Sequence, residues 1–330
     1  MPLFEVLVIN DGSKDRSSEI AHSYQEKYPK TFRVIDKENG NYGSCINRGL
    51  KEAEGKYIKI LDADDWFDTK NFEEFLKLLS IIDVDCVMSD MIQVDEDGNT
   101  ISQWRYSLPK EQSCSLEELL KLDESELLWM HCVAYKTRNL RSIHYQQTEG
   151  ISYTDQEWLF LPMASCESII YFPKTVYKYL TGRDGQTMNP EVYYKNYWQE
   201  IKGTINMAHE LGNYQNGNEI TSNYLSKRLL SRAMVCYGSF FEQLKMKTCH
   251  KEMVELDNTL EKETPALFHE LGDLSKANPF KKQYAKYSLA LPRFWIFLIW
   301  IWRKIKLRKN STLILMMIHI KKGIRRLFAA

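Results

Sequence analysis

Several features that identify common protein classes are missing from this chain of 330 residues. Its seven cysteines are odd in number and scattered, with no CxxC pair, which argues against a disulfide framework and against a structural zinc site. The sequence also has no Walker loop, no GxGxxG dinucleotide motif and no GxSxG nucleophile elbow. It opens on a strand-like segment, so we expect no signal peptide. The composition agrees with a folded intracellular enzyme.

Acidic residues are missing from the end of the chain. Asp273 is the last of them, whereas 14 of the 44 Lys and Arg residues lie in 274–330, so this tail carries +14. The other 30 basic residues stand against 44 acidic ones, so residues 1–273 carry −14. Such asymmetry predicts that the tail meets an anionic surface.

Long apolar runs are also absent, and this limits how the tail can meet a membrane. A spanning helix needs about 20 apolar residues, but Phe294–Trp302 has nine, with three Trp, and five basic residues follow it. A second segment, Leu313–Leu327, has apolar residues at helical spacing with Lys and Arg beside them. These patterns are typical of helices lying in the membrane interface. The alternative is a helical pair packed on the core or on a partner subunit. The continuous apolar blocks argue against nucleic acid.

Strand-like and helix-like segments alternate at the start of the chain. The apolar run Phe4–Asn10 precedes a helical stretch from Lys14 to about Tyr28, and Phe32–Ile35 leads into a second helix. Lys56–Trp66 is the next strand candidate, with a helix from near Thr69. Buried strands alternating with helices predict a parallel α/β sheet.

Three carboxylates, Asp62, Asp64 and Asp65, lie at the end of the third of these predicted strands, and Asp11 follows the first. In a parallel sheet these strand ends share one edge, where ligands of open α/β sheets bind. Carboxylates clustered there predict a site for Mg²⁺ or Mn²⁺ and substrate phosphate oxygens. The alternative is a solvated acidic loop that caps the helix starting near Thr69.

Five segments in order resemble glycosyltransferase family 2, and together they cover roughly residues 3–190. They are Glu5–Asp15, Asn39–Gly49, Gly55–Trp66, Tyr153–Trp158 and Tyr177–Thr187. The resemblance implies a GT-A type α/β fold, with a mostly parallel sheet flanked by helices and a helical C-terminal region. Family members normally carry one more strand and helix before the point where this sequence begins, so we expect both to be lacking here.

The resemblance also implies roles for the acidic residues. Asp11 would contact the uridine or ribose of a nucleotide-sugar. Asp64 and Asp65 would hold Mn²⁺ or Mg²⁺. Asp62 and Asp64 would be among the nucleotide-sugar contacts. Asp155 would be the general base of an inverting enzyme, in a pair that reads Thr-Asp here where the family has Glu-Asp.

For several of these residues a simpler interpretation stays open. Asp155 could only favour the dipole at the start of a helix. Asn47 and Arg48 are implied nucleotide contacts, or else exposed polar residues of a helix. Arg183 could grip a diphosphate or lie solvated in a turn. His131 is by default a core histidine, and otherwise an acceptor-side candidate.

These observations together predict a metal-dependent, inverting glycosyltransferase. It would move a sugar from a nucleoside-diphosphate donor to a glycan or lipid-linked acceptor in envelope polysaccharide synthesis, at the cytoplasmic face of the cell membrane. We expect a catalytic domain over residues 1–190, a helical acceptor-side region over 191–273 and a membrane-associating tail over 274–330. The alternatives are a catalytically inactive fragment of such an enzyme and a sugar-nucleotide nucleotidyltransferase.

Overall fold

Strands and helices alternate through the first half of the chain. A computed structural model describes residues 4–110, 112–122, 128–183, 190–214, 217–242 and 249–277. The strands are β1 (Val6–Asp11), β2 (Phe32–Lys37), β3 (Tyr57–Ile58), β4 (Trp66–Phe67), β5 (Cys86–Val94), β6 (Thr100–Trp104), β7 (Ser113–Cys114), β8 (Val133–Lys136) and β9 (Ile169–Leu180). The helices are α1 (Ser17–Lys27), α2 (Asn41–Glu52), α3 (Thr69–Ile81), α4 (Leu116–Leu120), α5 (Thr137–Ser142), α6 (Asp155–Trp158), α7 (Leu161–Ala164), α8 (Pro190–Asn196), α9 (Trp198–Asn213), α10 (Glu219–Glu242), α11 (His250–Glu263) and α12 (Pro265–Ala277). A turn of 3-10 helix, Met130–Cys132, precedes β8.

The strands form two sheets. β1 and β2 pair in parallel along their whole length. The second sheet has the order β3-β8-β5-β9-β4, with β6 added to β5 and β7 to β9. Within it β5 and β9 are parallel, and the other described pairs are antiparallel.

This arrangement confirms the predicted α/β class with flanking helices and a helical C-terminal region, but the sheet is mixed, where a mostly parallel one was expected. Of the described antiparallel pairs, β5 and β6 are joined by a tight turn, as antiparallel strands can be. The other antiparallel pairs bring together strands that are far apart along the chain. The Gly98 N–H donates to the Asp95 carbonyl at 3.0 Å, and Gly98 has the positive φ of 82° that favours glycine there.

The acidic segment crosses the end of the larger sheet. Only the two ends of Lys56–Trp66 are strands, namely β3 and β4, and these lie at opposite edges of the sheet. Between them the Asp65 N–H donates to the Asp62 carbonyl at 3.1 Å, closing a turn. The Asp62 N–H donates at 3.1 Å to the hydroxyl of Tyr177, which lies on β9. This backbone N–H is therefore paired with a side chain and not with the backbone of a neighbouring strand. The three carboxylates therefore lie in a turn that passes the ends of the central strands.

Helix α3 covers one part of the sheet through a buried aromatic residue. Phe75 is fully buried against Val87, Ala134, Phe172 and Val176, which come from three different strands. The Phe75 and Phe172 ring centroids are 5.6 Å apart. The helix begins where the sequence predicts, because the Asp68 carboxylate before it accepts the free Asn71 N–H at 3.1 Å. This packing fixes the strand ends next to the acidic turn.

The chain divides into two compact units, Met1–Arg228 and Leu229–Ala330. In the second unit the Tyr237 hydroxyl donates to the Asp257 carboxylate at 2.6 Å. Within the described residues no helix is both long and apolar enough to span a membrane. The predicted tail segments Phe294–Trp302 and Leu313–Leu327 lie outside the described residues. The domain boundaries after residues 190 and 273 stay predictions.

Candidate active site

The N-terminal end of α2 contacts both acidic strand ends. The Gly40 N–H donates to the Asp11 carboxylate at 2.9 Å. Two residues further on, the Tyr42 hydroxyl donates to the Asp62 carboxylate at 2.7 Å. Asp11 and the acidic turn belong to different sheets, but they meet at one helix start, where the helix dipole favours negative charge.

Asp11 is held in its ionised form. Lys37 lies on the neighbouring strand β2 and donates to the Asp11 carboxylate at 2.5 Å. Burial opposes ionisation, but the hydrogen bonds and charge of Lys37 and the Gly40 N–H lower the pKa of Asp11 below its ordinary value. An anionic acceptor is therefore fixed at this end of β1.

Tyr177 links two carboxylates of the acidic turn. Its hydroxyl donates to Asp65 at 2.6 Å and accepts the Asp62 N–H at 3.1 Å. The Leu180 N–H donates to the other Asp65 oxygen at 2.7 Å. Burial nevertheless raises the pKa of Asp65 to about 6. The like charges of Asp62 and Asp64 raise it further.

His131 completes a possible cation site. Its Nε2 lies 3.0 Å from the Asp62 carboxylate, and the residue is only 3% exposed. Burial by itself would raise the pKa of Asp62, but His131 and the Tyr42 hydroxyl bring that pKa below its ordinary value. Asp62, Asp65 and His131 each offer a ligand atom, and these atoms lie within 4.8 Å of one another. Two carboxylate oxygens and an imidazole nitrogen suit a divalent cation.

Asp64 and Arg183 form an ion pair at the outer side of the turn. The Arg183 guanidinium donates to the Asp64 carboxylate at 2.8 Å, and both side chains are partly exposed. Sequence reasoning assigned both residues to the nucleotide-sugar, and the fold brings them together although 119 residues separate them. The pair lies at the entrance of the acidic turn.

Tyr179 marks the position of Asp155 relative to the acidic turn. Burial raises the pKa of Tyr179, and the charges of Asp65, Asp155, Asp62 and Asp64 raise it further. The charge of Asp155 likewise contributes to the raised pKa of Tyr42, after burial and Asp62. These four carboxylates therefore all act on Tyr179, and Asp62 and Asp155 also act on Tyr42. Asp155 is the first residue of α6.

Asn47 and Arg48 lie on α2, and their side chains form hydrogen bonds with other protein groups. The Asn47 amide donates to the Gln147 carbonyl at 2.9 Å and accepts the Gln147 N–H at 2.8 Å. Arg48 donates to Glu52 one turn further along the helix at 2.9 Å. Their roles as nucleotide contacts stay predictions.

Four residues of the site were missed at the level of sequence: Tyr42, Lys59, Tyr177 and Tyr179. Lys59 is half-buried and donates to the His131 carbonyl at 2.5 Å, and desolvation lowers its pKa to about 8. A lysine within an apolar strand-like run is an available signal, because a lysine rarely stays buried without a partner. The tyrosines of β9 gave no such signal, since their contacts are more than 100 residues distant.

Known proteins with similar sequences include glycosyltransferases and a teichoic acid biosynthesis protein. Residues 1–159 match the family model described as Glycosyl transferase family 2. The chain is 34% identical to the putative glycosyltransferase EpsH of Bacillus subtilis over 116 residues, which are 34% of this chain and 33% of EpsH. It is 42% identical over 72 residues to the minor teichoic acid biosynthesis protein GgaB of Bacillus subtilis, covering 22% of this chain and 8% of GgaB.

A solved structure shares the fold. The crystal structure of S. aureus TarS 1-349 in complex with UDP-GlcNAc aligns with a TM-score of 0.60 at 19% sequence identity. The alignment covers 86% of this chain and 76% of that one. The likeness shows a GT-A fold. This chain spans about a third of the length of EpsH and far less of GgaB.

Proposed function

Residues 1–159 form a glycosyltransferase family 2 domain, and from this premise we propose that the chain transfers a sugar from a nucleoside-diphosphate donor to a hydroxyl of an acceptor. The observation that carries the proposal is the cluster of Asp62, Asp65 and His131, whose ligand atoms lie within 4.8 Å of one another, with Arg183 paired to the adjacent Asp64. A transferase of this kind needs a place for a diphosphate and a base for the acceptor within one pocket. UDP-GlcNAc bound to TarS supports a UDP-sugar as the donor class.

The donor would lie along the start of α2 and the acidic turn. Asp11 would accept from the uridine or ribose, because its carboxylate stays ionised there. Arg183 would exchange its Asp64 partner for the diphosphate, since a guanidinium binds phosphate oxygens with two parallel hydrogen bonds. Arg48 would complete the predicted nucleotide contacts from the face of α2.

A divalent cation fits the same place. Asp62, Asp65 and His131 would hold it, because their ligand atoms already lie within 4.8 Å. Asp64 stays a predicted ligand next to them. The mixed set of oxygens and one imidazole favours Mn²⁺ over Mg²⁺. Bound there, the cation would supply positive charge against the charge that develops on the leaving nucleoside diphosphate.

Asp155 would act as the general base. As the first residue of α6 it lies within the electrostatic reach of Tyr42 and Tyr179, on the acceptor side of the site. A carboxylate in this place would take the proton of the acceptor hydroxyl as its oxygen attacks the anomeric carbon from behind. Positioned proton transfer of this kind contributes about 10²- to 10⁴-fold in rate. The attack from behind inverts the anomeric configuration.

The acceptor is a glycan or lipid-linked sugar in envelope polysaccharide synthesis. The similarity to GgaB, a teichoic acid biosynthesis protein, supports this class. The basic, Trp-rich sequence of 274–330 supports peripheral attachment to an anionic membrane, where a lipid-linked acceptor would be presented. His131 stays an acceptor-side candidate besides its place in the cation site.

Nucleotide binding tests the proposal directly. Titration calorimetry of the chain with UDP should show binding that strengthens at least tenfold when Mn²⁺ is added. Incubation with a panel of UDP-sugars should then release UDP with one of them in preference to the others. Absence of UDP binding at millimolar concentration, with and without Mn²⁺, would contradict the proposed donor class.

A further inference from the structure

Helix α2 and residues 147–150 approach so closely at Gly43 that no side chain fits there. A Cβ atom at Gly43 would overlap the carbonyl oxygen of Thr148. At the start of the helix, the Gly150 N–H donates to the Gly40 carbonyl at 2.8 Å. The segment is thus fixed along the first turn of α2, which carries Tyr42.

Asn47 fixes the same segment one turn further along. Its side-chain amide donates to the Gln147 carbonyl and accepts the Gln147 N–H, so it pairs with both backbone groups of one residue. The same Nδ2 group donates to the Glu149 carboxylate at 2.8 Å. An asparagine amide has one acceptor and two donor positions, and these contacts use both of its ends.

The segment held by Asn47 is connected to the start of α6. The Gln147 side-chain amide donates to the Thr154 hydroxyl at 2.7 Å and to the Thr154 carbonyl at 3.1 Å. The Thr148 N–H donates to the Glu157 carboxylate at 2.8 Å. Thr154 and Glu157 lie on either side of Asp155 along the chain, and both are buried.

The strained backbone just before α6 needs such support. Tyr153 has a φ of 58°, in the left-handed region that a tyrosine rarely adopts. A residue in this conformation persists when its surroundings determine the backbone strongly. The hydrogen bonds from Gln147 to Thr154, the next residue, help to hold the Tyr153 backbone in this conformation.

We propose that Asn47 is a positioning residue, which holds residues 147–150 on α2 and thereby fixes Asp155 relative to Tyr42 and Asp62. Gly43 acts with it, because only a glycine permits the close approach. The inference rests on the proposed role of Asp155 as the base. It assigns to Asn47 a function that differs from the nucleotide contact implied by the resemblance to the family.

Loss of the Asn47 contact should therefore lower turnover but leave donor binding unchanged. Asp11 and the acidic turn, which would hold the donor, do not depend on residues 147–150 for their own hydrogen bonds among the described contacts. The placement of Asp155 does depend on them. A displacement of about 1 Å of a catalytic group can cost about 10²-fold in rate.

Two variants and one control test this assignment in the full chain. Asn47→Ala removes the amide, and Gly43→Ala forces Thr148 away from α2. Lys51→Ala is the control, since Lys51 is exposed on the same helix and contributes no side-chain hydrogen bond to residues 147–150 among the described contacts. Each protein is measured by hydrogen–deuterium exchange, by UDP affinity with Mn²⁺, and by kcat.

In Asn47→Ala and Gly43→Ala we expect the amides of residues 147–155 to exchange at least tenfold faster, with β5 and α3 unchanged. We expect kcat to fall at least tenfold while the Kd for UDP stays within about twofold, and Lys51→Ala to match the parent protein in all three measurements. Unchanged exchange in residues 147–155 would overturn the positioning role. Weaker UDP binding in Asn47→Ala with unchanged exchange would assign Asn47 to the nucleotide instead.

The exchange experiment needs no activity, so the two proposals can fail separately. If the parent chain neither binds UDP nor transfers a sugar while exchange rises in both variants, the contact stands as a structural feature and the proposed function fails. If the parent chain binds UDP and exchange does not change in either variant, the positioning proposal alone is wrong.

Discussion

Asp62 and Asp65 lie in one turn, yet their surroundings drive their protonation in opposite directions. His131 and the Tyr42 hydroxyl lower the pKa of Asp62, whereas burial raises that of Asp65 to about 6. Neighbouring acids whose pKa values are driven apart commonly have separate roles. Asp62 is thus favoured as an anion beside His131, whereas the charge of Asp65, a proposed ligand, changes closer to neutral pH.

A first prediction concerns the residues that hold the cation. Asp65→Ala and His131→Ala each remove one of the three clustered ligand atoms. We expect the gain in UDP affinity from Mn²⁺ to fall at least tenfold in both, as calorimetry with and without the metal would measure. Asp97→Ala, at an exposed turn, should keep the full gain.

Asp64→Ala separates the two possible ligand sets. If Asp64 mainly pairs with Arg183, its loss should weaken UDP binding with and without Mn²⁺ to a similar degree. Full loss of the metal effect in Asp64→Ala, with Asp65→Ala retaining it, would show that the cluster of Asp62, Asp65 and His131 is not the cation site.

A second prediction concerns Asp155. Asp155→Asn keeps the shape of the side chain but removes its basicity, so kcat should fall by about 10²-fold or more with donor affinity retained. Asp97→Asn is the control for the same chemical change at an exposed carboxylate. If turnover stays near normal, Asp155 only begins α6. NMR of the product from an α-linked donor should show a β linkage if the reaction inverts.

Site residues that lie close together in the sequence were predicted, whereas those that meet only through distant parts of the chain were not. The carboxylates of the acidic turn are adjacent in sequence, and Asp11 ends a similar apolar run, so the pattern indicated both. Tyr177 and Asp65 are 112 residues apart, and their contact depends on the place of β9 in the sheet. No local pattern contains that information. His131 was identified only as a core histidine or an acceptor-side candidate for the same reason.

At the scale of elements, α6 packs near α9 with two buried carboxylates facing the same region. Among the described residues, Glu157 Oε1 and Glu210 Oε2 are buried without a hydrogen-bond partner. Burial raises the pKa of Glu157 to about 7, and the charge of Asp155 raises it further. Burial likewise raises the pKa of Glu210 to about 8, and the charge of Glu157 raises it further. Tyr145 is buried beside both. The fold therefore favours the neutral form of this pair.

A third prediction follows for the pH dependence of stability. Because the folded pKa of each acid lies above the ordinary value of 4.5, the folded state binds extra protons, and the two acids stabilise it fully below about pH 4.5. That stability should be lost as the pH rises to about 8. Since each pKa unit corresponds to about 1.4 kcal/mol, Glu157→Gln should raise Tm by a few degrees at pH 8 and hardly at pH 4.5. Exposed Glu96→Gln is the control, and an equal rise at both pH values would contradict the mechanism.

Elements with a strong local signal were predicted, and elements defined by their partners were not. Asp97-Gly98 is a strong local turn signal, and β5 and β6 form a hairpin around it. The apolar segment Lys56–Trp66 suggested one strand, but a strand exists only where a neighbour is available. Residues between β3 and β4 cross the sheet end and bond to Tyr177 instead. Sheet order is a property of the whole fold and leaves no periodic trace in the sequence.

At the scale of the whole molecule, charge is divided along the chain. Residues 1–273 carry −14 and the tail 274–330 carries +14, so the net charge of zero conceals two regions of opposite sign. An anionic bilayer would attract the second and repel the first. This favours one orientation at the membrane, with the acidic part of the chain away from the lipid surface.

The last prediction tests this attachment. The full chain should sediment with liposomes that contain anionic lipid, less so as salt rises, because surface charges are screened. Tryptophan fluorescence should shift to the blue on binding, as Trp295, Trp300 and Trp302 enter the interface. Five basic residues follow these tryptophans and should contribute about 1 kcal/mol each; they are Arg303, Lys304, Lys306, Arg308 and Lys309.

Charge removal at matched positions makes this prediction specific. Replacing those five residues by Gln should release the protein from the liposomes at moderate salt, with the fold retained. The control replaces five exposed lysines of the first unit: Lys14, Lys27, Lys30, Lys70 and Lys77. It removes the same charge, so equal loss of binding in both variants would reduce the attachment to net charge. If the full chain ignores anionic liposomes at low salt, the tail packs on protein, and the membrane role is wrong.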